Sequence, residues 1–304
     1  MKIIVTGVSG FVGHFLCTEL LNAGHSVIGV DLSQEKLPGG LSASACLDIT
    51  DASALDKSIA DFQADACIHL GGIASPPIGR KHPELMLNVN TLGTMNLLES
   101  MRCHTPQARM LLASTSYIYG NSETEKAIDE SAPVSPTGIY AVSKAAADLA
   151  TLAYARDYGM HTMTARAANH TGPGQSTAFV VPAFAAQLKA MAAVKQSARM
   201  RVGNLESERT FMDVRDVVRA YRLLIERGES GMSYNIATQQ RIPIRIVLDK
   251  LCEMAGVSPE IEIDSELFRP TDRSPVLSTE RIHSTVGWQP LIPLDKTLRD
   301  ILDS

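Results

Sequence analysis

Hydrophobic positions near the N-terminus change their spacing twice within a short stretch. Lys2 to Thr6 is an apolar run with β-branched residues, which predicts one buried strand. A predicted helix follows and ends near Gly24, because glycine adopts the left-handed conformation of a helix cap without strain. Ser26 to Val30 is a second β-rich run. The apolar positions of the intervening helix recur at helical spacing, at Phe15, Leu16, Leu20 and Leu21.

Strand and helix signals continue to alternate along the chain. Short apolar runs predict further strands over residues 45–49, 65–70, 109–114 and 233–237. Strands that are joined by helical crossovers form a parallel sheet with helices on both faces. The expected fold class is therefore α/β, a doubly wound parallel sheet.

The overall composition is that of a soluble enzyme with one or two domains. The chain has 304 residues, of which 45% are hydrophobic, and its formal net charge is -5. This charge gives no reason to expect nucleic acid or a membrane as a partner. No apolar run reaches transmembrane length and the chain opens directly on a strand, so we expect a cytoplasmic protein. The five cysteines are scattered without metal-ligand spacing, which predicts reduced thiols and no metal site.

The turn after the first predicted strand contains three glycines. Gly7 permits a tight turn, Gly10 lets a backbone N–H approach a pyrophosphate, and Gly13 lets the helix pack closely on the strand. Asp31 follows Gly13 by 18 residues and can accept hydrogen bonds from both ribose hydroxyls. A plain turn would also explain the glycines, but not their place between a strand and a helix. The pattern predicts a dinucleotide site. The carboxylate of Asp31 would repel a 2′-phosphate, so we expect NAD(H) to be preferred, with NADP(H) possible.

The spacing GxxGxxG resembles the extended branch of the short-chain dehydrogenase/reductase superfamily, which has a Rossmann fold. The resemblance implies that the adenine lies beside Asp48 and Ile49. A helix cap for the segment that starts at Asp51 is the alternative role, and the two roles are compatible. It also implies that Asn90 braces the sheet and a water near the active site. His69 lies in an apolar run and is interpreted as a core histidine. The remaining cofactor residues implied by the resemblance are Phe11, Val12, Leu70, Gly71 and Gly72.

Tyr140 and Lys144 lie four residues apart, so they share one face of a predicted helix. A free phenol is a poor acid-base catalyst at neutral pH, because its pKa is about 10. An adjacent ammonium favours the phenolate, so we expect Lys144 to lower the pKa of Tyr140. The spacing alone is common in surface helices. Together with the glycine turn, it predicts a catalytic pair that also contacts the nicotinamide ribose.

A third catalytic hydroxyl is expected at the end of the preceding strand. In the superfamily this hydroxyl lies five positions before the glycine of a Tyr-Gly pair, here Gly120, which selects Thr115. Ser114 and Ser116 are close alternatives, and Ser116 is retained as a catalytic candidate. Related sugar-nucleotide dehydratases carry an acidic residue where this chain has Tyr117. This difference argues against 4,6-dehydratase activity.

The segment Arg166 to Gln175 resembles the R-x-x-N-x-x-G-P-G motif of extended members that act on nucleotide sugars. The resemblance implies that Asn169 donates a hydrogen bond to the substrate diphosphate. The amino-acid sequence of this segment is most similar to that of the GDP-4-keto-6-deoxymannose reductases. Arg209 and Arg269 are expected to bind the diphosphate, because guanidinium groups match its oxygens. A surface ion pair is the alternative for either arginine.

The two domains are expected to interleave. The run 233–237 predicts a strand that returns to the main sheet, and Asp213 and Asp216 are interpreted as caps of a helix over residues 217–225. The expected units are a dinucleotide-binding domain over residues 1–165, with a returning segment near 213–238, and a smaller, mainly substrate-binding domain over residues 166–304.

These features together predict an NAD(P)-dependent reductase of a nucleotide-activated sugar, acting on a 4-keto group. Tyr140 would give the proton, Thr115 would orient the oxygen and Lys144 would tune Tyr140. A nucleotide-sugar 4-epimerase with bound NAD is the alternative reaction. A non-catalytic dinucleotide sensor is a third interpretation, but such a protein needs no Tyr140–Lys144 pair.

The helix that carries Tyr140 continues with many alanines and leucines, including Leu149 and Ala150. A helix this apolar has no polar face of the kind that normally contacts solvent. Relatives pair it, together with the helix over residues 94–101, across a two-fold axis. We therefore expect a homodimer, the alternative being that the C-terminal domain covers the helix.

Overall fold

The computed structural model describes residues 1–121, 126–194, 198–268 and 274–304. The strands in these ranges are β1 (Lys2–Thr6), β2 (Ser26–Asp31), β3 (Ala43–Cys46), β4 (Ala66–His69), β5 (Arg109–Thr115), β6 (Thr162–Ala167), β7 (His170–Thr171), β8 (Arg199–Val202), β9 (Glu208–Arg209), β10 (Met212–Asp213), β11 (Ser233–Ile236), β12 (Ile242–Pro243) and β13 (Glu260–Ile263). The α-helices are α1 (Phe11–Asn22), α2 (Ala52–Phe62), α3 (Pro76–Lys81), α4 (Pro83–Leu87), α5 (Gly93–His104), α6 (Ile139–Tyr158), α7 (Val180–Val194), α8 (Val214–Arg227), α9 (Ile244–Ala255), α10 (Glu280–Val286) and α11 (Leu294–Asp303). A π-helical turn covers Asn88–Leu92 and a 3-10 turn covers Ser116–Tyr119.

Among the described residues, seven strands form one sheet in the order β11-β6-β5-β4-β1-β2-β3. Every pairing in this sheet is parallel. The predicted α/β fold class is confirmed, including the return of β11 to the main sheet beside β6. Parallel sheets of this kind place ligands at the carboxyl ends of their strands. Thr115 lies at that edge.

Helices cover both faces of the sheet. Ile3 and Val5 of β1 pack in one buried cluster, which includes Leu16 of α1, whereas the intervening Ile4 packs in another, which includes Leu97 of α5. Successive side chains of a strand point to opposite faces, so this split shows that the sheet is covered on both sides. A separate apolar cluster lies in the C-terminal half and draws its side chains from α7, β8, α9 and α11.

Two predicted boundaries and one predicted helix cap differ from the structure in ways that side-chain contacts explain. The strand expected over residues 45–49 ends at Cys46, because Asp48 accepts the Thr50 amide and closes a turn there. Helix α8 begins at Val214, before the predicted residue 217, with Asp213 as its cap. Asp216 does not cap it, because this carboxylate lies in the first turn and accepts the amides of Leu291 and Ile292.

An apolar face remains exposed on α5 and α6. Met95 is 38% exposed, Val142 is 38% exposed and Leu149 is 48% exposed. Within the described part of the chain, the C-terminal half therefore leaves this face open, and the alternative in which that half covers it is wrong. The homodimer stays a prediction.

The part of the chain that the structure describes offers neither of two other kinds of site, a membrane-spanning helix or a metal-binding cluster. None of the helices combines the length and apolarity needed to cross a membrane. No group of three or more His, Cys, Asp or Glu side chains in those residues could hold a metal ion.

Candidate active site

The glycine turn between β1 and α1 is sterically tied to the turn after β4. Gly7 has a positive φ of 71°, and a Cβ atom at this position would lie 2.9 Å from the Gly71 nitrogen. A Cβ atom on Gly13 would lie 2.3 Å from the Val8 carbonyl oxygen. Neither position accepts a side chain without movement of the backbone.

Helix α1 begins at Phe11 directly after Gly10, which has no side chain to cap the first amides. The first turn contains no acidic residue. The free N–H groups and the positive end of the helix dipole therefore face the glycine turn. This arrangement fits the pyrophosphate of a dinucleotide.

Asp31 ends β2 beside this turn and is half-buried. Its carboxylate accepts the Ser9 amide on one oxygen and the Leu32 amide on the other, each at 2.8 Å. These two bonds hold the carboxylate at the carboxyl edge of the sheet, close to the glycine turn. The position agrees with the predicted role toward a ribose, and the negative charge disfavours a 2′-phosphate.

The turn after β4 forms a second wall of the candidate cofactor site. A Cβ atom on Gly72 would lie 2.8 Å from the Asn90 Oδ1 atom. Ile49 is buried, and its Cδ1 atom lies 3.5 Å from the position of a Cβ on Gly71. Leu70 is half-buried at the start of this turn. Gly71 and Gly72 thus leave backbone as the surface that a ligand would meet.

Asp48 is exposed and forms a turn of its own. Its Oδ1 atom accepts both the amide and the hydroxyl of Thr50 at 2.8 Å. Helix α2 is capped by Asp51, whose Oδ1 accepts the Ala54 amide at 3.0 Å. The alternative in which Asp48 caps this helix is therefore wrong, and its predicted place beside an adenine stays a prediction.

Thr115, Tyr140 and Lys144 come together at the carboxyl end of β5. Thr115 accepts the Tyr117 amide at 3.3 Å, and its hydroxyl acts on the phenol of Tyr140 by lowering the pKa of that phenol. The Nζ atom of Lys144 donates to the Ala113 carbonyl at 2.6 Å. Ser116 is buried in the adjoining 3-10 turn.

Ser114 is the other residue that the sequence analysis named as an alternative for the third catalytic hydroxyl. It is buried on β5, and in the described part of the chain its Oγ atom has no hydrogen-bond partner. Thr115 is the hydroxyl that the structure places against Tyr140.

Burial sets the charge states of this group. Burial raises the pKa of Tyr140 to about 12, although the hydrogen bond from Thr115 opposes this rise. Burial also lowers the pKa of Lys144 to about 8, against the charge of Asp148. The pKa of Tyr140 is therefore raised in this structure and not lowered as expected, because burial dominates and the Lys144 ammonium donates to the Ala113 carbonyl. This direction favours the protonated phenol of Tyr140.

Tyr117 packs directly on Tyr140. The two ring centroids lie 6.2 Å apart with the planes at 73°, which is an edge-to-face contact. Tyr117 is half-buried and occupies the position that is acidic in dehydratases. No carboxylate from this position reaches Tyr140.

Two of the three predicted substrate residues, Asn169 and Arg209, lie within the described part of the chain. Asn169 is half-buried after β6, and its carbonyl accepts the Met212 amide at 2.9 Å. Arg209 is half-buried in β9 and donates to the Glu208 carbonyl at 3.0 Å. Arg269 lies outside the described residues. Their predicted contacts with a diphosphate stay predictions.

Comparisons with known proteins identify the family. The family model for GDP-mannose 4,6 dehydratase matches residues 4–301 of the chain. The GDP-6-deoxy-D-mannose reductase of Pseudomonas aeruginosa is 33% identical over 303 residues, covering 99% of this chain and 96% of that protein. The chain belongs to the GDP-mannose 4,6-dehydratase family. The predicted membership of the extended short-chain dehydrogenase/reductases is thereby confirmed.

Solved structures from the extended short-chain dehydrogenase/reductases share the fold of this family member. RMD from Pseudomonas aeruginosa, complexed with NADPH, superposes with a TM-score of 0.87 at 33% identity, covering 99% of this chain and 97% of the other. UDP-glucose 4-epimerase from Thermus thermophilus, complexed with NAD, gives a TM-score of 0.89 at 28% identity, covering 100% and 98%. The chain is an enzyme of this type, and the cofactors of these relatives are nicotinamide dinucleotides.

The sequence interpretation missed a buried ion pair behind helix α6 of this family member. Arg166 of β6 contacts both carboxylate oxygens of Asp148, at 2.7 and 3.2 Å. It also donates to the phenol oxygen of Tyr119 at 2.9 Å. Asp148 lies one helical turn after Lys144, so the pair joins α6 to the sheet. The available signal was an aspartate in an alanine-rich helix, four residues after the predicted lysine.

Proposed function

We propose that this enzyme uses NAD(P)H to reduce the 4-keto group of a nucleotide-activated 6-deoxyhexose. The observation that carries this proposal is the phenol of Tyr140 at the carboxyl edge of the sheet, on the helix that Lys144 joins to the Ala113 carbonyl of β5, the strand that ends at Thr115. Reduction of a ketone needs a proton donor beside the forming alkoxide, and a phenol that is protonated at rest meets that need.

Tyr140, Thr115 and Lys144 have separate roles in the proposed reaction. The bound nicotinamide supplies the hydride that adds to the carbonyl carbon. Tyr140 donates its phenolic proton to the carbonyl oxygen, which becomes the new hydroxyl. Thr115 orients that oxygen by a hydrogen bond. Lys144 is proposed to hold the nicotinamide ribose, and a proton from solvent restores the phenol of Tyr140 after each transfer.

Cofactor binding is proposed for the residues around the glycine turn. The cradle formed by Gly7 and Gly71, the free amides at the start of α1 and the carboxylate of Asp31 support this assignment. NADH is the expected reductant, because Asp31 disfavours a 2′-phosphate.

The substrate class follows from both the relatives and the polar groups beyond the strand ends. Asn169, Arg209 and Arg269 are proposed to hold the diphosphate of the nucleotide sugar. GDP is the proposed nucleotide, because the similar Pseudomonas aeruginosa protein is a GDP-6-deoxy-D-mannose reductase. Tyr117 supports reduction over 4,6-dehydration, because it places a phenol and no carboxylate beside Tyr140.

A nucleotide-sugar 4-epimerase is the second candidate. The similarity to UDP-glucose 4-epimerase from Thermus thermophilus favours it. An epimerase regenerates its cofactor in each turnover, so it consumes no net NADH. This property separates the two candidates in one assay.

The test is incubation of the purified protein with NADH and a panel of GDP-, UDP- and dTDP-linked 4-keto-6-deoxyhexoses. We expect stoichiometric oxidation of NADH with the GDP-linked ketone, measured by loss of nicotinamide absorbance. Interconversion of nucleotide hexoses at C4 with no NADH consumed would instead establish the epimerase. The variant Tyr140→Phe is the negative control for either reaction.

A further inference from the structure

His69 is a buried polar residue for which the proposed reaction has no use. It lies at the carboxyl end of β4 and is 1% exposed. Both of its ring nitrogens have partners: Nδ1 lies 2.6 Å from the Thr6 hydroxyl and Nε2 lies 3.1 Å from the Thr94 hydroxyl. These contacts confirm the expected core histidine, but they also define a directed chain of hydrogen bonds.

The neighbouring donors determine which ring nitrogen carries the proton. Thr94 donates its only hydroxyl proton to the Asn90 carbonyl at 2.7 Å, so it can only accept from His69. The Nε2 atom of His69 is therefore protonated. Burial and the charge of Lys144 lower the pKa of His69 to about 3, so the ring is neutral and Nδ1 is an acceptor. Thr6 then donates its proton to Nδ1.

One end of this chain lies in the candidate cofactor site. The Thr6 hydroxyl, with its proton directed at His69, accepts the Gly71 amide at 3.0 Å. Gly71 is the residue that a side chain on Gly7 would strike. The orientation of the Thr6 hydroxyl thus fixes the peptide that joins the two glycine turns.

The other end reaches the catalytic helix. The Nδ2 atom of Asn90 donates to the Ser143 hydroxyl at 2.9 Å, and Ser143 donates to the Tyr140 carbonyl at 2.8 Å. Asn90 also accepts the Ile73 amide at 2.7 Å through Oδ1. A connected set of hydrogen bonds, which passes through the backbone carbonyl of Asn90, therefore spans from the glycine turns to the first turn of α6.

We infer that His69, as the neutral Nε2–H tautomer, is a positioning residue that holds the Gly71 peptide in the geometry that the nicotinamide cofactor requires. The inference rests on the cofactor assignment of the proposed function. His69 touches no reacting atom in this account. Its effect on the cofactor passes through Thr6, and its link to α6 passes through Thr94 and Asn90.

The first test compares His69→Phe with a matched variant outside the chain of hydrogen bonds. His69→Phe keeps an aromatic ring but removes both bonds, so the dissociation constant for NADH rises about tenfold, while kcat at saturating NADH changes less than about threefold. Thr164→Val is the control, because within the described residues the Thr164 hydroxyl is buried without a partner. It leaves NADH affinity unchanged.

Thr94→Val and Thr6→Val extend the comparison if the phenylalanine variant does not fold. Thr6→Val removes the acceptor of the Gly71 amide and weakens NADH binding as much as His69→Phe does. Thr94→Val removes only the distal partner and has a smaller effect in the same direction. Wild-type NADH affinity in both Thr6→Val and any folded His69→Phe would overturn the inference.

A second measurement examines the tautomer in the unmodified protein. Nitrogen NMR of ¹⁵N-histidine-labelled protein should show His69 with a proton on Nε2 and none on Nδ1, without titration between about pH 5 and pH 9. An Nδ1–H tautomer, or a titration in this range, would overturn the inference. Failure of the wild-type protein to bind NADH would instead contradict the proposed function, because this binding assay contains no sugar.

Discussion

Two ion pairs of similar chemistry serve different purposes in the two halves of the molecule. The Arg166–Asp148 pair is buried, with side-chain exposures of 3% and 0%. The Arg199–Glu260 pair links β8 to β13 with exposures of 69% and 73%. The buried pair joins β6 to the helix that carries Tyr140 and Lys144. The exposed pair lies on the solvent-accessible surface of the two-stranded sheet formed by β8 and β13. Polar groups are buried where the geometry of the proposed reaction must be held, and the cost of burying them is offset by pairing.

The strongest test of the catalytic half is Tyr140→Phe. Removing the transferable proton should lower kcat for ketone reduction about 10²- to 10⁴-fold, while NADH affinity stays within about twofold of wild type. Steady-state kinetics and a binding titration measure the two quantities. Tyr158→Phe removes an exposed phenol from the other end of α6 and serves as the control. A near-normal rate in Tyr140→Phe would remove Tyr140 from the mechanism.

The comparison of ion pairs predicts a second, slightly smaller effect. Asp148→Asn leaves the buried Arg166 guanidinium without a charged partner, so the free energy of unfolding falls by about 3–5 kcal/mol. Glu260→Gln breaks the exposed pair and costs less than about 1 kcal/mol. Urea denaturation of the two variants measures the difference. Equal losses would show that burial does not distinguish the two regions.

The open apolar face of α5 and α6 predicts a homodimer. Leu149→Arg should raise the dimer dissociation constant by about 100-fold or more, because it places a charge in an apolar interface. Leu291→Arg is the matched control, because Leu291 is 61% exposed in the C-terminal half. Sedimentation velocity at micromolar concentration separates the outcomes. A monomeric wild-type protein would refute the dimer while leaving the catalytic proposal intact.

The change in preference between NADH and NADPH on substitution of Asp31 is expected to be the smallest of the predicted effects. Asp31→Ser removes the charge that would repel a 2′-phosphate, so the ratio of kcat/KM for NADH over NADPH should fall about tenfold. The Ser9 amide loses its acceptor in this variant, so NADH binding also weakens somewhat. A wild-type preference for NADPH would show that a cation elsewhere outweighs Asp31.

Short sequence patterns correctly predicted the structural features that depend only on residues close together in the chain. Strand β1 spans the predicted residues, and Gly7 needs its positive φ in a turn that the sequence marked. The pKa of Tyr140 was wrongly predicted, because it depends on burial by distant segments and not on a lysine one turn away.

The His69 chain illustrates the same limit. Its partner Thr6 lies 63 residues away in sequence and its partner Thr94 lies 25 residues away. Pairing of strands β1 and β4 brings His69 to Thr6, so no short-range sequence pattern indicates this contact.

The central claim is transfer of hydride to C4 of a nucleotide-linked sugar, with Tyr140 as the proton donor. The most direct measurement uses NADH that carries two deuterium atoms at C4 of the nicotinamide, together with a GDP-linked 4-keto-6-deoxyhexose. The account predicts one deuterium on C4 of the sugar for each NADH consumed, detected by NMR of the isolated product. NADH oxidation without deuterium at that carbon, or a product altered at C4 with no NADH consumed, would contradict it.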